Sequence, residues 1–526
     1  MRIAVLLDTR WGGGIKTFCT GALISFLKLK ELSKLSLGDV KIDFYLMTYD
    51  PNNNVEYFKV DFNKLYELYK NKDIKKIIEL ANKENYASIS KKIRLDDILE
   101  GLSNSDFIFI TNASFAVHNK SLKKEDLDKI LSNDGKRTYM IMFHADYAGS
   151  FLYDLIIFIN YGKLKNISET TKNKIYSLLN KKIKQGYMTD EDQRELIRII
   201  EYLSNSNTEE AIEFRNKYGW WLDEVRGLFT YTFRKLTELK NVINLFPTYI
   251  ISDSNSRFIK NVIGSNIEKR EILHEPMFMV SLYKYYRDEI EGYKNAYLKI
   301  YRDNKINLLY VGRRAGEKGI YDVIRLFEDL VKEGKDVRLI IISPQFGKDI
   351  EEYKRLEEIV NKYGIGEVDI YSNALGNSLH EYPLYYIGLL KALGELKSTI
   401  FINPAYTESY GLSTLESLIF GKLLTIYRDV DGLKELKERG YLNDKTAFRT
   451  YENLVNLTKK IIEEIRNGKY NEYVNKEAIE MLEKEVDPEE LAYEYAKIIG
   501  EMIYNKLESE NNNNLEVQSK EIEVVT

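Results

Sequence analysis

Two short apolar runs far apart in the chain, Ile3–Leu7 and Ile306–Val311, each lead into a glycine-bearing loop and then a helical pattern. A brief, continuous apolar run marks a strand buried on both faces, as in a parallel sheet. Strand, glycine loop and helix make up the first half of a Rossmann-type unit, in which glycines let the backbone approach a ligand closely. In the first unit the loop is Asp8-Thr9-Arg10-Trp11-Gly12-Gly13-Gly14 and the helix follows from Ile15 to Lys30. The loop lacks the G-x-G-x-x-G spacing, so a tight strand-to-helix turn explains it equally well. In the second unit the loop is Gly312-Arg313-Arg314-Ala315-Gly316-Glu317-Lys318-Gly319, and a helix runs from Ile320 to Lys332. Its cations sit where a phosphate would bind: Arg313 can form bidentate bonds and Lys318 can add a point charge.

The rest of the chain alternates around these two starts. Strands are expected at Val40–Met47, Asp106–Thr111 and Arg137–Phe143, with helices at Lys59–Asn82 and Ile89–Leu102. His144 ends the third of those strands, and in open α/β sheets ligands bind off the carboxyl ends of strands. A structural role accounts for a lone histidine as readily. From Ser150 to Asn244 helical spacing takes over, giving a helical insertion in which Trp220 and Trp221 read as core. A strand is expected at Pro247–Ser252, a helix at Ser254–Ile263, a strand at Arg270–His274 and a helix at Ser281–Asp303. The second unit continues with strands Val337–Ile342, Val368–Tyr371, Thr399–Asn403 and Leu423–Tyr427, and helices Lys348–Tyr363, Ser378–Leu393, Tyr451–Asn467 and Lys469–Glu485. Asp487-Pro488-Glu489-Glu490 carries the signals of a helix start, and that helix is expected to reach Leu507. The polar remainder, 508–526, reads as disordered.

Composition removes several classes of function. The 77 basic and 81 acidic residues leave a net charge of −4, which provides no electrostatic footprint for nucleic acid. A single cysteine, Cys19, excludes a disulfide framework and suits a reducing, cytoplasmic compartment. The four histidines have no metal-ligand spacing. No apolar run is long enough to span a bilayer; the insertion shows no basic amphipathic stretch, and peripheral membrane contact is left open.

The stretch richest in chemistry is Glu408-Ser409-Tyr410-Gly411-Leu412-Ser413-Thr414-Leu415-Glu416, behind the strand that ends at Asn403. Ser413–Phe420 has helical spacing, so a helix N-terminus opens at the glycine and offers unpaired N–H groups to an anion. Glutamates accept hydrogen bonds from sugar hydroxyls. The plainer alternative is that both glutamates charge the first turn of the helix.

Taken together, Gly312-Arg313, Lys318-Gly319 and the two glutamates separated by seven residues, with Tyr410-Gly411-Leu412 after the first and Gly421 after the helix, resemble glycosyltransferase family 4, the retaining nucleotide-sugar enzymes of GT-B fold. The resemblance is specific over Ile306–Gly432, looser from Met1 to His144 and at Ile250–Ser252, and absent from 150–244. It implies two Rossmann-like domains facing a cleft: residues 1–304 for the acceptor, 305–486 for the donor, and a helix 487–507 returning to the first. It implies that Arg313 and Lys318 hold the donor diphosphate, helped by Gly312 and the amides of Tyr410, Gly411 and Leu412. Glu416 would bind the ribose, Glu408 the transferred sugar, and His144 would stand near sugar and acceptor. Gly13 and Gly14 would let the first domain close over the phosphates. It also implies a hexosyl transfer to an unidentified glycan, lipid-linked or protein acceptor, with a UDP- or GDP-sugar as co-substrate and neither metal nor cofactor. Two positions depart from the pattern: Arg314 replaces an apolar residue, and Gly432 keeps one glycine of a usual pair. A sugar-nucleotide epimerase of the same fold and a non-catalytic binding protein remain the alternatives; neither glycine loop carries the dinucleotide fingerprint of a dehydrogenase.

Overall fold

The computed structural model describes residues 1–10, 14–36, 40–50, 52, 54–82, 89–116, 122–132, 135, 137–162, 164–303, 305–343, 350–371 and 383–502. Two sheets organise them. The first is built from β1 (Arg2–Asp8), β2 (Lys41–Tyr49), β3 (Val55–Val60), β4 (Ser90–Ile93), β5 (Phe107–Ile110), β6 (Thr138–Met142), β7 (Val242–Phe246) and β8 (Arg270–Ile272). Its order is β4-β3-β2-β1-β5-β6-β7-β8. β2-β1-β5-β6-β7-β8 run parallel, and β3 and β4 add an antiparallel edge. The second sheet contains β9 (Ile306–Val311), β10 (Val337–Ile342), β11 (Glu367–Ile370), β12 (Thr399–Asn403), β13 (Leu424–Arg428) and β14 (Ala447–Phe448), in the order β11-β10-β9-β12-β13-β14, all parallel.

The apolar runs behave as their continuity demands. Every residue of β9, β10 and β12 is buried, because helices cover both faces of a parallel sheet. β1 and β9 are the strands at which the order reverses. The loops that leave β9 and β12 therefore lie side by side at a switch point, the usual ligand crevice of a doubly wound sheet.

The loops at the carboxyl ends of the two sheets meet one another. Asp146, after β6, donates its N–H to Ser409 Oγ at 3.4 Å. Ile250, after β7, donates to Glu435 Oε2 at 3.0 Å, and His274, after β8, meets the Tyr410 hydroxyl at 2.5 Å. The last helical residues, 488–502, pack on the first unit: Tyr495 stacks on Phe26 at 5.6 Å and lies 5.7 Å from Phe109. Glu489 accepts from the hydroxyls of Tyr69 (2.6 Å) and Tyr285 (2.7 Å). Two Rossmann-like units facing across a cleft, with the chain end returned to the first, form the GT-B architecture.

Three sequence expectations need correction. The strand expected at Pro247–Ser252 is the first turn of helix Tyr249–Ile263; the strand is Val242–Phe246. Pro247 has no N–H for a ladder, and the Thr248 side chain caps the helix by accepting from Ile251 N–H. The helix expected from Lys59 starts at Phe62, capped by Asp61, and Val55–Val60 pairs instead with β2. The helix expected from Ile89 starts at Leu95, after β4. Both errors concern the half-buried antiparallel strands β3 and β4 at one side of the sheet, where side-chain alternation is weak. The region between β6 and β7 is helical, as the spacing indicates: Tyr147–Tyr161, Glu169–Gln185, Asp190–Asn205, Glu209–Glu224, a π-helical turn at Val225–Phe229, and Thr230–Glu238. Trp221 is buried there, but Trp220 is 54% exposed, so only one of the pair is core. Gly12, Gly13 and the 508–526 tail lie outside the described residues.

Candidate active site

The site forms where the β9 loop and the β12 loop are fastened together. Gly319 has φ +68°, and a Cβ on it would stand 2.3 Å from the carbonyl oxygen of Pro404. Only glycine permits both that backbone conformation and that approach. Tyr406 N–H donates to the Glu317 carbonyl at 2.8 Å. Beneath, the buried Arg428 guanidinium donates to the Pro404 carbonyl (3.0 Å), the Arg449 carbonyl (2.7 Å) and Asp322 Oδ2 (2.7 Å), and lies over the Tyr406 ring. An arginine inside a strand gave no sequence signal of this role.

That fastening brings Lys318 to Glu408. The ammonium lies 3.0 and 3.2 Å from the two carboxylate oxygens. The two side chains keep 25% and 13% of their exposure, so the pair faces the cleft without being sealed. Arg313 is placed differently: it pairs with Glu317 at 2.9 Å and its side chain is 58% exposed. Gly312 is the first residue after β9, and its N–H donates to the Ile342 carbonyl at 3.0 Å. Arg314 bonds Glu352 at 2.6 Å, turning away from the Lys318 side of the loop.

Next to the ion pair the helix Leu412–Gly421 begins. Gly411 is its N-cap, with φ +75°, and the first turn holds no acidic residue. Glu408 precedes the helix and Glu416 lies in its second turn, so neither glutamate serves to charge its first turn. The N–H groups of Leu412 and Ser413 have no carbonyl behind them in the helix. Gly432 N–H holds the Glu408 carbonyl at 3.0 Å, and a Cβ on Gly432 would fall 2.0 Å from Ser409 O, which explains why glycine is kept there. Asn403 Nδ2 donates to Thr414 Oγ1 at 2.8 Å, tying strand to helix.

Among the described residues Glu416 has a single hydrogen-bond partner, the Tyr386 hydroxyl at 2.9 Å. Burial pushes its carboxyl up to about 8, and the Tyr386 hydrogen bond opposes the shift only in part. A carboxylate with spare acceptor capacity, set behind a helix N-terminus, suits a pair of vicinal hydroxyls.

Across the cleft, both ring nitrogens of His144 are engaged: Nε2 with the Thr111 carbonyl (2.5 Å) and Nδ1 with Glu275 Oε1 (2.7 Å). The Thr111 carbonyl can only accept, so Nε2 donates to it. The Phe18 ring packs edge-on at 4.4 Å. Asp146 is buried with Lys182 of the insertion at 3.0 Å, and it accepts from Ser254 Oγ at 2.8 Å. Burial raises its carboxyl, but Lys182 and Ser254 hold it below the usual range. At the end of β1, Asp8 and Arg10 form a fully buried pair at 2.8 Å, with Asn112 Nδ2 donating to Asp8 at 3.1 Å. Tyr410 joins the units through His274, whose Nε2 lies 2.9 Å from Glu485 and 2.6 Å from Arg439.

The structure therefore brings together Lys318, Glu408, Gly411, Leu412 and, one turn deeper, Glu416. It leaves Arg313 at the rim and His144 on the opposite wall; Gly14 opens the helix Gly14–Ser36. Tyr386, Arg428, Glu275 and Lys182 were not visible in the sequence as site residues. Each acts through a partner far along the chain.

Residues 299–481 match the family model described as glycosyl transferases group 1. An uncharacterized glycosyltransferase of Methanocaldococcus jannaschii is 24% identical over 299 residues, 55% of this chain and 64% of that relative. The chain thus spans less than two thirds of the curated relative it matches. Among solved structures, Anabaena HepE in complex with UDP and glucose aligns at 11% identity over 95% of this chain and 100% of that one, with a TM-score of 0.46. A glycosyltransferase of Rickettsia africae aligns at 11% identity over 96% and 99%, with a TM-score of 0.48. The segment that carries the Lys318 loop and both glutamates is the one that matches the glycosyl transferases group 1 model.

Proposed function

We propose that the protein is a retaining glycosyltransferase that moves a hexosyl group from a nucleotide-sugar donor, such as a UDP- or GDP-sugar, to an acceptor hydroxyl. The observation that carries this reading is the Lys318–Glu408 pair at the open N-terminus of helix Leu412–Gly421, inside the segment that matches the group 1 model. A diphosphate fits beside the Lys318 ammonium and the free N–H groups of Leu412 and Ser413, where cation and helix dipole act together. Arg313, exposed and held only by Glu317, reaches the same anion by a side-chain rotation. Lys318 released to the diphosphate frees Glu408 for a hydroxyl of the transferred sugar, and Glu416 takes the ribose hydroxyls.

Charge builds on the departing nucleoside diphosphate as the glycosidic bond opens. Fixed donors aimed at that charge lower the barrier without any reorganisation at the moment of reaction. The leaving-group phosphate takes the proton of an acceptor that attacks from the same face, so no second carboxylate is required as nucleophile. His144, hydrogen-bonded to Glu275 and to the Thr111 carbonyl, is proposed to line the acceptor side beside the sugar, and Gly13 and Gly14 are the residues that would let the first unit close over the phosphates. Cation and helix dipole do the work assigned elsewhere to a metal ion, and the donor is the only small-molecule co-substrate. The buried Cys19 thiol suits a cytoplasmic site of action. Among the described residues no helix is long and apolar enough to cross a membrane.

The test is nucleoside diphosphate release from a panel of UDP- and GDP-sugars, with and without added acceptors, for the wild type and Glu408→Ala. Loss of at least about 100-fold in transfer by the variant, with nucleotide binding retained, is the expected result. Unchanged transfer and donor hydrolysis in Glu408→Ala would overturn the assignment.

A further inference from the structure

The helical insertion is linked to the Glu408 loop by two separate routes that leave from one helix end, one through Asp146 and one through Asp429. Lys182, in the last turn of helix Glu169–Gln185, is completely buried against Asp146. The Asp146 N–H in turn meets Ser409 Oγ, and Gln193 of the next insertion helix donates to Ser254, which holds the other carboxylate oxygen. A Cβ on Gly149 would fall 2.4 Å from Asp146 Oδ2 and 3.2 Å from Lys182 Nζ, so the residue is small where the pair needs room.

The second route starts four residues on. Gly186 caps the same helix with φ +83°, and a Cβ there would stand 2.6 Å from the carbonyl oxygen of Asp429 in the donor unit. Arg449 secures the seat by donating to the Lys184 carbonyl at 2.9 Å and to Asp429 Oδ2 at 2.7 Å. Asp429 and Val430 lead directly to Gly432, whose N–H holds the Glu408 carbonyl.

We infer that the Lys182–Gly186 helix end is a clasp that positions the Glu408–Ser409 loop against the His144–Asp146 wall when the two units are closed. Lys182 and Gly186 touch no donor atom and act through Asp146 and Asp429. The inference rests on the proposed transferase reading for its kinetic consequence. A helix bound to both units at its end resists their separation, and a misplacement of about 1 Å at a reacting centre costs up to about 100-fold in rate. Lys318, Arg313, Glu416 and the amides of Leu412 and Ser413, which are proposed to bind the nucleotide, all lie in the second unit, so the clasp governs turnover and not nucleotide affinity.

The experiment compares wild type, Gly186→Ala, Lys182→Arg and the charge-neutral double variant Asp146→Asn/Lys182→Met, which leaves no buried unpaired charge. Gly186→Ala leaves the buried charge pair intact and disturbs only the helix cap and its seat between the units, so a folding failure of the double variant leaves the test standing. Turnover is expected to fall at least about tenfold in Gly186→Ala and in the double variant, with nucleoside diphosphate Kd within about threefold of wild type. Lys182→Arg is expected to restore most of the rate. Hydrogen exchange, read with UDP or GDP bound, is expected to quicken in both 142–147 and 404–412 in Gly186→Ala. Wild-type kcat together with unchanged exchange in Gly186→Ala overturns the clasp. Should no donor be turned over, the transferase reading fails, and the exchange measurement still decides the clasp.

Discussion

If Glu416 takes the nucleotide ribose as proposed, its carboxyl, poised near pH 8, makes nucleotide binding a proton-release reaction. Glu416 is raised to about 8 by burial, so at pH 7 roughly one molecule in ten carries it ionised. Ribose hydroxyls donate to the ionised form, and the affinity of that form is therefore diluted by the protonated fraction. Affinity should rise about tenfold per pH unit up to about pH 8 and level off above it. Close to one proton should leave per nucleotide bound near pH 7. Tyr386→Phe removes the single hydroxyl that stabilises the carboxylate. A hydrogen bond to a charged group is worth about 1.5–3 kcal/mol, so the midpoint should move up by about one to two pH units and binding at pH 7.5 should weaken by about tenfold or more. Isothermal titration with UDP and GDP between pH 7 and 9, in buffers of different ionisation enthalpy, reads both affinity and proton count. The sign for stability follows the same shift. The folded state binds this proton more tightly than the unfolded chain, so its contribution is present at low pH and is lost as pH rises from the ordinary carboxylate range through about 8. Measured from the ordinary glutamate value of 4.5, the ceiling is about 5 kcal/mol, and the nucleotide-free protein should unfold at lower temperature at pH 9 than at pH 6. A flat affinity profile in both proteins, or proton uptake on binding, would refute the ribose assignment.

Three further outcomes follow from the geometry. Lys318→Met takes the charge from the diphosphate and leaves Glu408 without its partner; transfer should drop about 100-fold or more, with a weaker nucleoside diphosphate Kd by titration. Gly319→Ala meets both φ +68° and the Pro404 carbonyl, and should cost about 1–3 kcal/mol of stability, seen as a lowered urea midpoint. Arg10→Met strands the fully buried Asp8 carboxylate and should destabilise by about 3–5 kcal/mol, with much of the loss regained in Arg10→Met/Asp8→Asn.

The two-sheet plan was legible because buried parallel strands write themselves as uninterrupted apolar runs, and β1, β9, β10 and β12 all do. The Lys318 and Glu408 loops were legible for a related reason. Glycine at Gly411 and Gly319 is demanded by positive φ, and Lys318 and Glu408 sit next to those glycines in the chain. The antiparallel edge was not legible, since Val55–Val60 and Ser90–Ile93 are half-exposed and carry no clean alternation. Arg428 and Tyr386 were invisible because a buried arginine or tyrosine has no local pattern; each is explained only by an acceptor brought to it from another strand or helix.

The sequence by itself determined the repeated α/β units, the helical character of the segment between β6 and β7 and the identity of the groups at the Lys318 and Glu408 loops, all of which depend on near neighbours. Only the tertiary structure decided how those groups meet. It pairs Lys318 with Glu408 across ninety residues and leaves Arg313 at the rim. It takes Glu416 out of water, which raises its pKa, and it seats the insertion's Lys182 and Gly186 on the two sides of the cleft. Each of these is set by desolvation or by contact between distant segments, and neither quantity exists in the chain until it has folded.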